Sequence, residues 1–448
     1  MTVRLAAVRA LLAVERGHTT LAAELDHVRR AVTDDRDRAL LLELTTGTLR
    51  WQAELDALLT QCSHRPFAQI DAPSRAILRL AAYQLEHLDR IPVHAIVHEA
   101  VELARAMDRP QAAGFINAML RSLHRDRAAL TLPSRPQDDA SVAAQVAFLT
   151  TTLSHPEWLV RRWLARVGFA ATESWCRFNN TPPDITVRSY GRLSGPALVA
   201  ALQTAGVEPG PARFVREALR LPPGSLGRVP AALRDEIFVQ NEGSQIVAHT
   251  TGVRPGERVL DLCAAPGGKS LILSVDLAGR GLLVAADRRP GRVRILRSTL
   301  RHAGALAALV QLDATRPLPF GPIFDRVLVD APCSGLGTLR GDPDLKWSRQ
   351  PDDFPRLAMV QRALLTSAAE ATRPGGTLVY ATCSSEPEEN DEVIDAFLST
   401  DARFTLVPAD LGPAIETGAH LVDARGLLRT HPARDGVDAF FAAVLVRK

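Results

Sequence analysis

Apolar residues recur every three or four positions along most of the first 127 residues. Segments 76–85 and 95–104 show this helical spacing clearly. The stretch 132–139 then combines proline with charge and has no periodicity, as is typical of a linker. The pattern predicts an all-helical N-terminal bundle over residues 1–132.

The middle of the chain mixes helical and strand patterns. A helix with a proline near its start begins close to His155, a short strand covers 185–188, and a second helix covers 195–205. A proline-rich connection ends near Pro230. Residues 133–236 are therefore predicted to hold linker helices and a small α+β subdomain.

Strands and helices alternate from Arg258 onwards. The predicted strands are 259–262, 282–286, 308–312, 326–329, 377–381, 404–407 and 440–446. This alternation predicts a C-terminal α/β domain, residues 237–448, with a seven-stranded, mostly parallel sheet covered by helices. The whole chain is expected to be multidomain.

Composition narrows the class of protein. The chain has 448 residues, of which 46% are hydrophobic and 23% charged. No apolar run reaches the roughly 18 residues of a membrane span, and Arg4 and Arg9 interrupt the amino terminus where a secretory signal needs an apolar centre. The five cysteines form no Cys-x-x-Cys pair, so we expect reduced thiols, no metal, no membrane partner and a cytoplasmic location.

The positive charge of the chain comes almost entirely from arginine. Lys and Arg together number 53 and the net charge is only +3, which says little about a nucleic-acid partner. Lysine occurs only at Lys269, Lys346 and Lys448. Because the chain otherwise uses arginine, a lysine indicates a position that the larger, planar guanidinium group of arginine would not suit.

Two cysteines follow predicted strands directly. Cys333 lies in Asp330-Ala331-Pro332-Cys333 after the fourth strand, and Cys383 lies in Ala381-Thr382-Cys383 after the fifth. Ligands of open α/β sheets bind at the carboxyl ends of the strands. Both thiols are therefore predicted to face one pocket.

The first strand of this domain leads into a glycine-containing loop, 263–270, and then into a helix. Paired glycines and a free helix start favour close approach to a ligand. Asp287, twenty residues after Gly267, and Asp313 close the next two strands, a placement typical of ribose-binding acids. The loop lacks the first glycine of a phosphate loop, where Cys263 stands, and it lacks Gly-x-Gly-x-x-Gly. Among adenosine ligands, S-adenosylmethionine is favoured over a nucleoside triphosphate or a dinucleotide.

Four segments together resemble the NOL1/NOP2/Sun family of RNA cytosine-5 methyltransferases: 263–269, 330–335, 344–347 and 382–384. Residues 239–245 resemble the segment that leads into the catalytic domain in this family. The N-terminal helices, including 38–50 and 114–121, resemble the NusB-type domain of the bacterial Sun/RsmB branch, which acts on small-subunit (16S) ribosomal RNA. The resemblance covers nearly the whole chain. It implies a Rossmann-like class I methyltransferase domain behind a NusB-like RNA-binding domain.

The resemblance also implies the residue roles. Cys383 would attack carbon 6 of cytosine, and Cys333 would assist product release. The reaction chemistry itself calls for a carboxyl group near N3 to stabilise charge on the ring, and Asp330 is expected to supply it. The reaction chemistry alone leaves the two thiol roles interchangeable, because a Pro-Cys dipeptide such as Pro332-Cys333 supplies the nucleophile in DNA cytosine-5 enzymes. The implied S-adenosylmethionine site comprises Cys263, Ala264, Ala265, Pro266, Gly267, Gly268, Lys269, Asp287, Arg292, Asp313 and Asp330.

Other interpretations stay open. The chain could be a noncatalytic ribosome-assembly or antitermination factor, or a methyltransferase for transfer RNA, and a monomer that binds RNA is favoured. His94, His98 and Glu102 have the spacing of metal ligands but no further ligand nearby in sequence, so an ordinary helix face is preferred. Six arginines between 288 and 301 form either a solvated helix face or an RNA surface.

Two departures from the family pattern are visible. Arg188-Ser189-Tyr190 stands where the family has Arg-x-Asn, and Asp438-Ala439-Phe440-Phe441 replaces Asp-Gly-Phe-Phe. The first weakens the case for an RNA contact from that asparagine, and the second predicts a reshaped turn. Neither affects the predicted methyl-transfer residues.

Overall fold

The chain folds into two compact units. The computed structural model describes residues 2–17, 19–29, 32, 34–63, 65–190 and 193–448. The first unit contains 1–182 together with 339–349, and the second contains 183–338 and 350–448. These units differ from the three predicted domain ranges, which stay a prediction.

Eighteen α-helices are assigned in the described residues: α1 (Val3–Glu15), α2 (Leu21–Arg29), α3 (Asp35–Arg50), α4 (Gln52–Gln61), α5 (Ala72–His87), α6 (Val93–Ala106), α7 (Ala113–Arg125), α8 (Val142–Ala147), α9 (Glu157–Asn179), α10 (Gly195–Thr204), α11 (Ala231–Arg234), α12 (Glu242–His249), α13 (Gly268–Asp276), α14 (Pro290–His302), α15 (Leu345–Ser348), α16 (Asp353–Ala371), α17 (Asp391–Thr400) and α18 (Pro432–Asp435). Short 3-10 turns lie at Phe67–Gln69, Pro110–Ala112, Leu226–Arg228, Pro387–Glu389 and Ala419–Leu421, and a π-helical turn lies at Phe148–Thr152. No helix in the described ranges is long and apolar enough to cross a membrane.

The strands in the described residues are β1 (Ile185–Ser189), β2 (Gly210–Pro211), β3 (Leu219–Leu221), β4 (Ile237–Val239), β5 (Arg258–Leu262), β6 (Leu282–Asp287), β7 (Ala308–Gln311), β8 (Phe324–Asp330), β9 (Thr372–Thr382), β10 (Phe404–Val407), β11 (Leu428–Arg429) and β12 (Phe441–Arg447). They form two sheets, both in the second unit.

The first unit is all helical, as its 3.6-residue periodicity predicts. The apolar stripes of α1, α3, α5, α6 and α7 meet in one core that includes Leu44, Ile77 and Leu120. Local signals start the helices: Asp71 accepts a hydrogen bond from Ser74 N, and a proline occupies the first turn of α5. Helix α9 kinks at Gly168, whose φ is +77°.

The smaller sheet of the second unit confirms the predicted α+β middle region. Its four antiparallel strands have the order β2-β3-β1-β4. Helix α10 packs on it through Leu198 and Leu202, which join Val187 in a small core. The predicted strand and helix of this region are both present within one residue of their expected ends.

The larger sheet has the path β10-β12-β9-β8-β5-β6-β7, and the two-residue β11 pairs with β12. β7, β6, β5, β8 and β9 run parallel, whereas β12 is antiparallel to β9 and β10 is antiparallel to β12. All seven predicted strands are therefore found. Alternate residues of β8 pack on opposite faces: Val327 and Val329 on one, Leu328 on the other. This order places the carboxyl ends of β8 and β9 next to each other.

Candidate active site

The two predicted thiols lie side by side. Cys333 Sγ and Cys383 Sγ are 3.3 Å apart, and both residues are half-buried. Asp330 stands opposite Ala381 in the parallel β8–β9 pairing, and Ala331 N donates to Ala381 O at 2.9 Å. The strand pairing thus delivers both cysteine loops to one edge of the sheet, as the sequence predicted.

Cys333 holds its proton strongly. The hydrogen bond with Cys383 and then burial raise the pKa of the Cys333 thiol well above its ordinary value of 9.0. The nearby Glu389 carboxyl adds to this effect. Of the pair, Cys333 is therefore suited to act as a thiol rather than as a standing thiolate.

Lys269 and Asp330 form an ion pair beside the thiols. Lys269 Nζ donates to Asp330 Oδ2 at 2.7 Å, with 10% of the lysine side chain exposed. Burial alone would lower the pKa of Lys269, but the Asp330 carboxylate outweighs it, so the pKa is raised and the ammonium is kept. The Cys383 side chain contributes to the same stabilisation. A fixed ion pair thus lies at the carboxyl end of β8.

The loop between β5 and α13 needs its glycines. Gly267 has φ +113°, and a Cβ there would lie 3.1 Å from Leu296 and 3.2 Å from Thr299. Cys263 also has a positive φ, +62°, and burial raises the pKa of its thiol to about 12. Cys263 is accordingly an inert part of the loop rather than a nucleophile.

Predicted ligand-binding residues gather next to this loop. Asp287 ends β6 and is buried, and Arg292 Nε on α14 lies 3.0 Å from its carboxylate. Arg292 also donates to Ala265 O in the loop. Asp313 lies two residues beyond β7, one residue further than predicted, and accepts hydrogen bonds from Thr315 N and Oγ1. Carboxylates thus follow two neighbouring strands at the same edge of the sheet.

Sequence reasoning missed Asp261. It lies in β5 beneath the loop, is fully buried, and accepts a hydrogen bond from Ser270 Oγ at 2.5 Å. Burial raises its pKa from 3.8 to about 7, and its Oδ1 has no hydrogen-bond partner among the residues that the structure describes. The available signal was an acidic residue within the apolar run 259–262.

Two sets of residues singled out in the sequence remain: the possible metal ligands His94, His98 and Glu102, and the six arginines between 288 and 301. In the part of the chain that the structure describes, no three His, Cys, Asp or Glu side chains lie together as possible metal ligands. On α14, Val293, Leu296 and Leu300 are buried, whereas Arg292, Arg294, Arg297 and Arg301 are exposed. Arg288 and Arg289, which precede the helix, are exposed as well. All six arginines therefore face solvent, four on the helix and two before it.

Comparison with known proteins identifies the family. A family model described as 16S rRNA methyltransferase RsmB/F matches residues 249–446, and NusB family and RsmF/B-like ferredoxin-like models match 1–125 and 155–224. A ribosomal RNA small subunit methyltransferase B from Pseudomonas putida is 36% identical over 455 residues, which cover 100% of this chain and 99% of the relative. The chain belongs to the ribosomal RNA small subunit methyltransferase B family.

Other similar proteins agree with this membership. A probable methyltransferase B from Bacillus subtilis is 33% identical over 427 residues, covering 92% of this chain and 91% of its own. A crystal structure of a protein called PH0851 superposes with a TM-score of 0.79 at 25% identity and covers 98% of each chain. The predicted resemblance is confirmed, as is the fold: a NusB-like helical region, a ferredoxin-like middle region and a Rossmann-like methyltransferase sheet. The roles of individual site residues in this methyltransferase B family member stay predictions.

Proposed function

We propose that the protein methylates carbon 5 of a cytosine in small-subunit ribosomal RNA, with S-adenosylmethionine as methyl donor and a covalent RNA–cysteine intermediate. The observation that carries the proposal is the pair of thiols 3.3 Å apart beside the Lys269–Asp330 ion pair. Family membership supplies the methyl-transfer activity and the class of RNA.

The residues around the loop fit S-adenosylmethionine. Asp287 and Asp313 offer carboxylate oxygens to ribose hydroxyls and adenine, and the buried Asp261 Oδ1 lacks a partner within the described part of the chain. Gly268 packs directly against Phe238, where a Cβ would lie only 2.7 Å from the ring, so a larger residue at this turn would displace Phe238. When bound, the cofactor supplies an electrophilic methyl group.

Cys383 begins the reaction on the base. Carbon 5 of cytosine is a poor nucleophile until a thiolate adds to carbon 6, which breaks the carbon 5–carbon 6 double bond and leaves an enamine. The proton that leaves the Cys383 thiol is taken up at N3, and the Asp330 carboxylate, held by Lys269 at 2.7 Å, stabilises the resulting N3–H group. The electron pair then stands at carbon 5, ready to bond to the methyl carbon.

Cys333 serves the release step. After methylation, a base takes the proton from carbon 5, the double bond re-forms, and Cys383 leaves carbon 6 as a thiolate. The raised pKa of Cys333 keeps it protonated, so it supports release by donating a hydrogen bond to the departing Cys383 sulfur, 3.3 Å away, and not by acting as the base. The reacting atoms lie inside a stacked base, so the target cytosine must be unpaired or flipped out.

Two substitutions test these roles. We expect Cys383→Ala to abolish both turnover and the RNA adduct, and Cys333→Ala to accumulate an adduct that resists denaturing gels. Labelled methyl transfer and adduct gels measure the two outcomes. The reverse pattern would exchange the two roles, and no methyl transfer by the wild type to any RNA would refute the proposed function.

The RNA class needs its own experiment. Bisulfite sequencing of ribosomal and transfer RNA from cells with and without the protein locates the 5-methylcytosine that depends on it. We expect one lost site in small-subunit ribosomal RNA. Loss of 5-methylcytosine from transfer RNA alone would show that transfer RNA is the substrate and would leave the proposed reaction unchanged.

A further inference from the structure

We propose that Glu389 is a positioning residue that clamps the two cysteine loops together and so sets the distance between the Cys333 and Cys383 thiols. This inference rests on the proposed function for its kinetic consequence, but its structural basis is independent of the reaction. Glu389 touches neither thiol directly in the hydrogen-bond network and acts through the serines that follow them.

The clamp consists of four hydrogen bonds to one carboxyl group. Glu389 Oε2 accepts from Ser334 Oγ and Ser384 Oγ, both at 2.5 Å. Its Oε1 accepts from Ser334 N at 2.8 Å and from Gln361 Nε2 at 3.0 Å. Ser334 is the residue after Cys333, and Ser384 is the residue after Cys383. One side chain therefore joins the two loops at the first position beyond each thiol.

Each serine also fixes the backbone of its own loop. Ser384 Oγ accepts from Glu386 N at 3.1 Å, and Ser334 Oγ accepts from Leu336 N at 3.4 Å. The two hydroxyl oxygens are 3.2 Å apart. A displacement of the carboxyl group would therefore move backbone as well as side chains on both sides of the thiol pair.

Two further buried side chains, Gln361 and Tyr380, hold Glu389 in place. Gln361 on α16 donates to Pro332 O at 3.0 Å in addition to the carboxyl group, and Tyr380 OH donates to Glu389 O at 2.6 Å. Glu389, Gln361 and Tyr380 are all 0% exposed. The network is closed to solvent, so it has one geometry rather than many.

A carboxyl group at this place is costly. The partners that the described residues give the Glu389 carboxyl group are two serine hydroxyls, a backbone amide and a glutamine amide, and burying a polar group is unfavourable unless hydrogen bonds replace its hydration. Apolar packing would fill the same space at lower cost. Only an acceptor with two oxygens can join both serines, the Ser334 amide and Gln361 at once.

The test compares Glu389→Ala with Glu389→Gln in the full-length protein. A misplacement of reacting groups by about 1 Å costs on the order of 10²-fold in rate, so we expect about that fall in kcat for Glu389→Ala with KM for RNA unchanged. Glutamine keeps one accepting oxygen, and its amide can donate to the serine hydroxyls. We therefore expect Glu389→Gln to recover about tenfold of the loss.

A second readout does not depend on methyl transfer. Dibromobimane bridges two thiols only when they lie close together, and peptide mapping identifies the Cys333–Cys383 product. We expect rapid bridging in the wild type, slower bridging in Glu389→Gln, and the slowest in Glu389→Ala. The double variant Ser334→Ala and Ser384→Ala removes the clamp from its other side, and we expect it to bridge slowly too.

Asp435→Asn is the matched control. Asp435 is also a buried carboxylate of the second unit, and it accepts hydrogen bonds from His431 N, Arg434 and His420. We expect it to lower Tm without changing kcat or bridging. Wild-type kcat and bridging in folded Glu389→Ala or in the double serine variant would overturn the clamp. A wild type that bridges normally but methylates no RNA would instead refute the proposed function alone.

Discussion

The buried Asp261 predicts an unusual dependence of stability on pH. Burial raises its pKa in the folded protein from 3.8 to about 7, so between these values the folded state binds a proton that the unfolded state has released. Stability from this group is complete below pH 3.8 and is lost as pH rises through about 7. The whole difference corresponds to about 4 kcal/mol. About 2.5 kcal/mol of this stabilisation is lost as pH rises from about 5 to about 7.5.

Asp261→Asn removes this titration while keeping an oxygen that accepts from Ser270. We expect the Tm of the variant to rise relative to wild type by about 5 to 10 °C between about pH 5 and about pH 7.5, since each kcal/mol shifts Tm by roughly 2–4 °C in a domain of this size. Differential scanning fluorimetry of the ligand-free proteins across that range measures the difference.

The control is Asp435→Asn, because the pKa of Asp435 is shifted in the opposite direction. Asp435 is buried too, but its hydrogen-bonded pair with Arg434 leaves its pKa below 3.8 despite the opposing effect of burial. Its stabilisation is lost only as pH falls into the acidic range, so the Tm difference between wild type and Asp435→Asn should stay constant above about pH 5. A Tm difference for Asp261→Asn that is equally constant would refute the reasoning, because it would show that Asp261 is charged in the folded protein throughout.

Predictions at three further sites follow from the packing. Lys269→Met leaves the Asp330 carboxylate without its cation, and we expect kcat in labelled methyl transfer to fall about 10²-fold; an unchanged kcat would contradict this. Lys346→Arg should lower stability as much as Lys346→Met, by about 2–4 kcal/mol in denaturant unfolding, because the site is fully buried; a neutral arginine variant would show that the site accepts a guanidinium. Gly337→Ala should reduce kcat strongly because its Cβ would lie 2.0 Å from Ala439 O and 2.8 Å from Cys383 O, which would displace the backbone of Cys383, whereas Gly321→Ala, with no atom within 4 Å, should match wild type in the same assay.

The sequence predicted the parts of the structure that depend on local periodicity. Apolar runs such as 327–329 helped to identify all seven strands of the larger sheet's main path, and the five parallel strands among them are of the kind that is buried on both faces. The positions of Cys333 and Cys383 directly after two of these runs were enough to predict their proximity. The predicted strand ends were less accurate, because an apolar run does not fix its last paired residue: the third strand ends at Gln311 rather than at 312.

Long-range side-chain contacts left no such pattern. Pro387-Glu388-Glu389-Asn390 has the composition of an exposed acidic turn, yet Glu389 is 0% exposed and binds Ser334, which lies 55 positions earlier. Likewise residues 339–349 belong to the first unit, although the sequence around them reads as part of the sheet domain. Neither placement can be read from spacing, because hydrogen bonds between distant segments impose no period on the residues between them.

The rarity of lysine turned out to be informative for a physical reason. Lys346 is 0% exposed, and its ammonium donates to Arg50 O and Ser154 O at 2.8 Å and to Asn180 Oδ1 at 3.3 Å. Burial lowers its pKa to about 7. Lys269 is also buried and donates to a single carboxylate oxygen at 2.7 Å. A compact ammonium with three donors fits such enclosed sites, whereas a planar guanidinium needs a wider space and more acceptors. In a chain that otherwise uses arginine, an internal lysine therefore indicates an enclosed cation site, and its position in the sequence is enough to point to it.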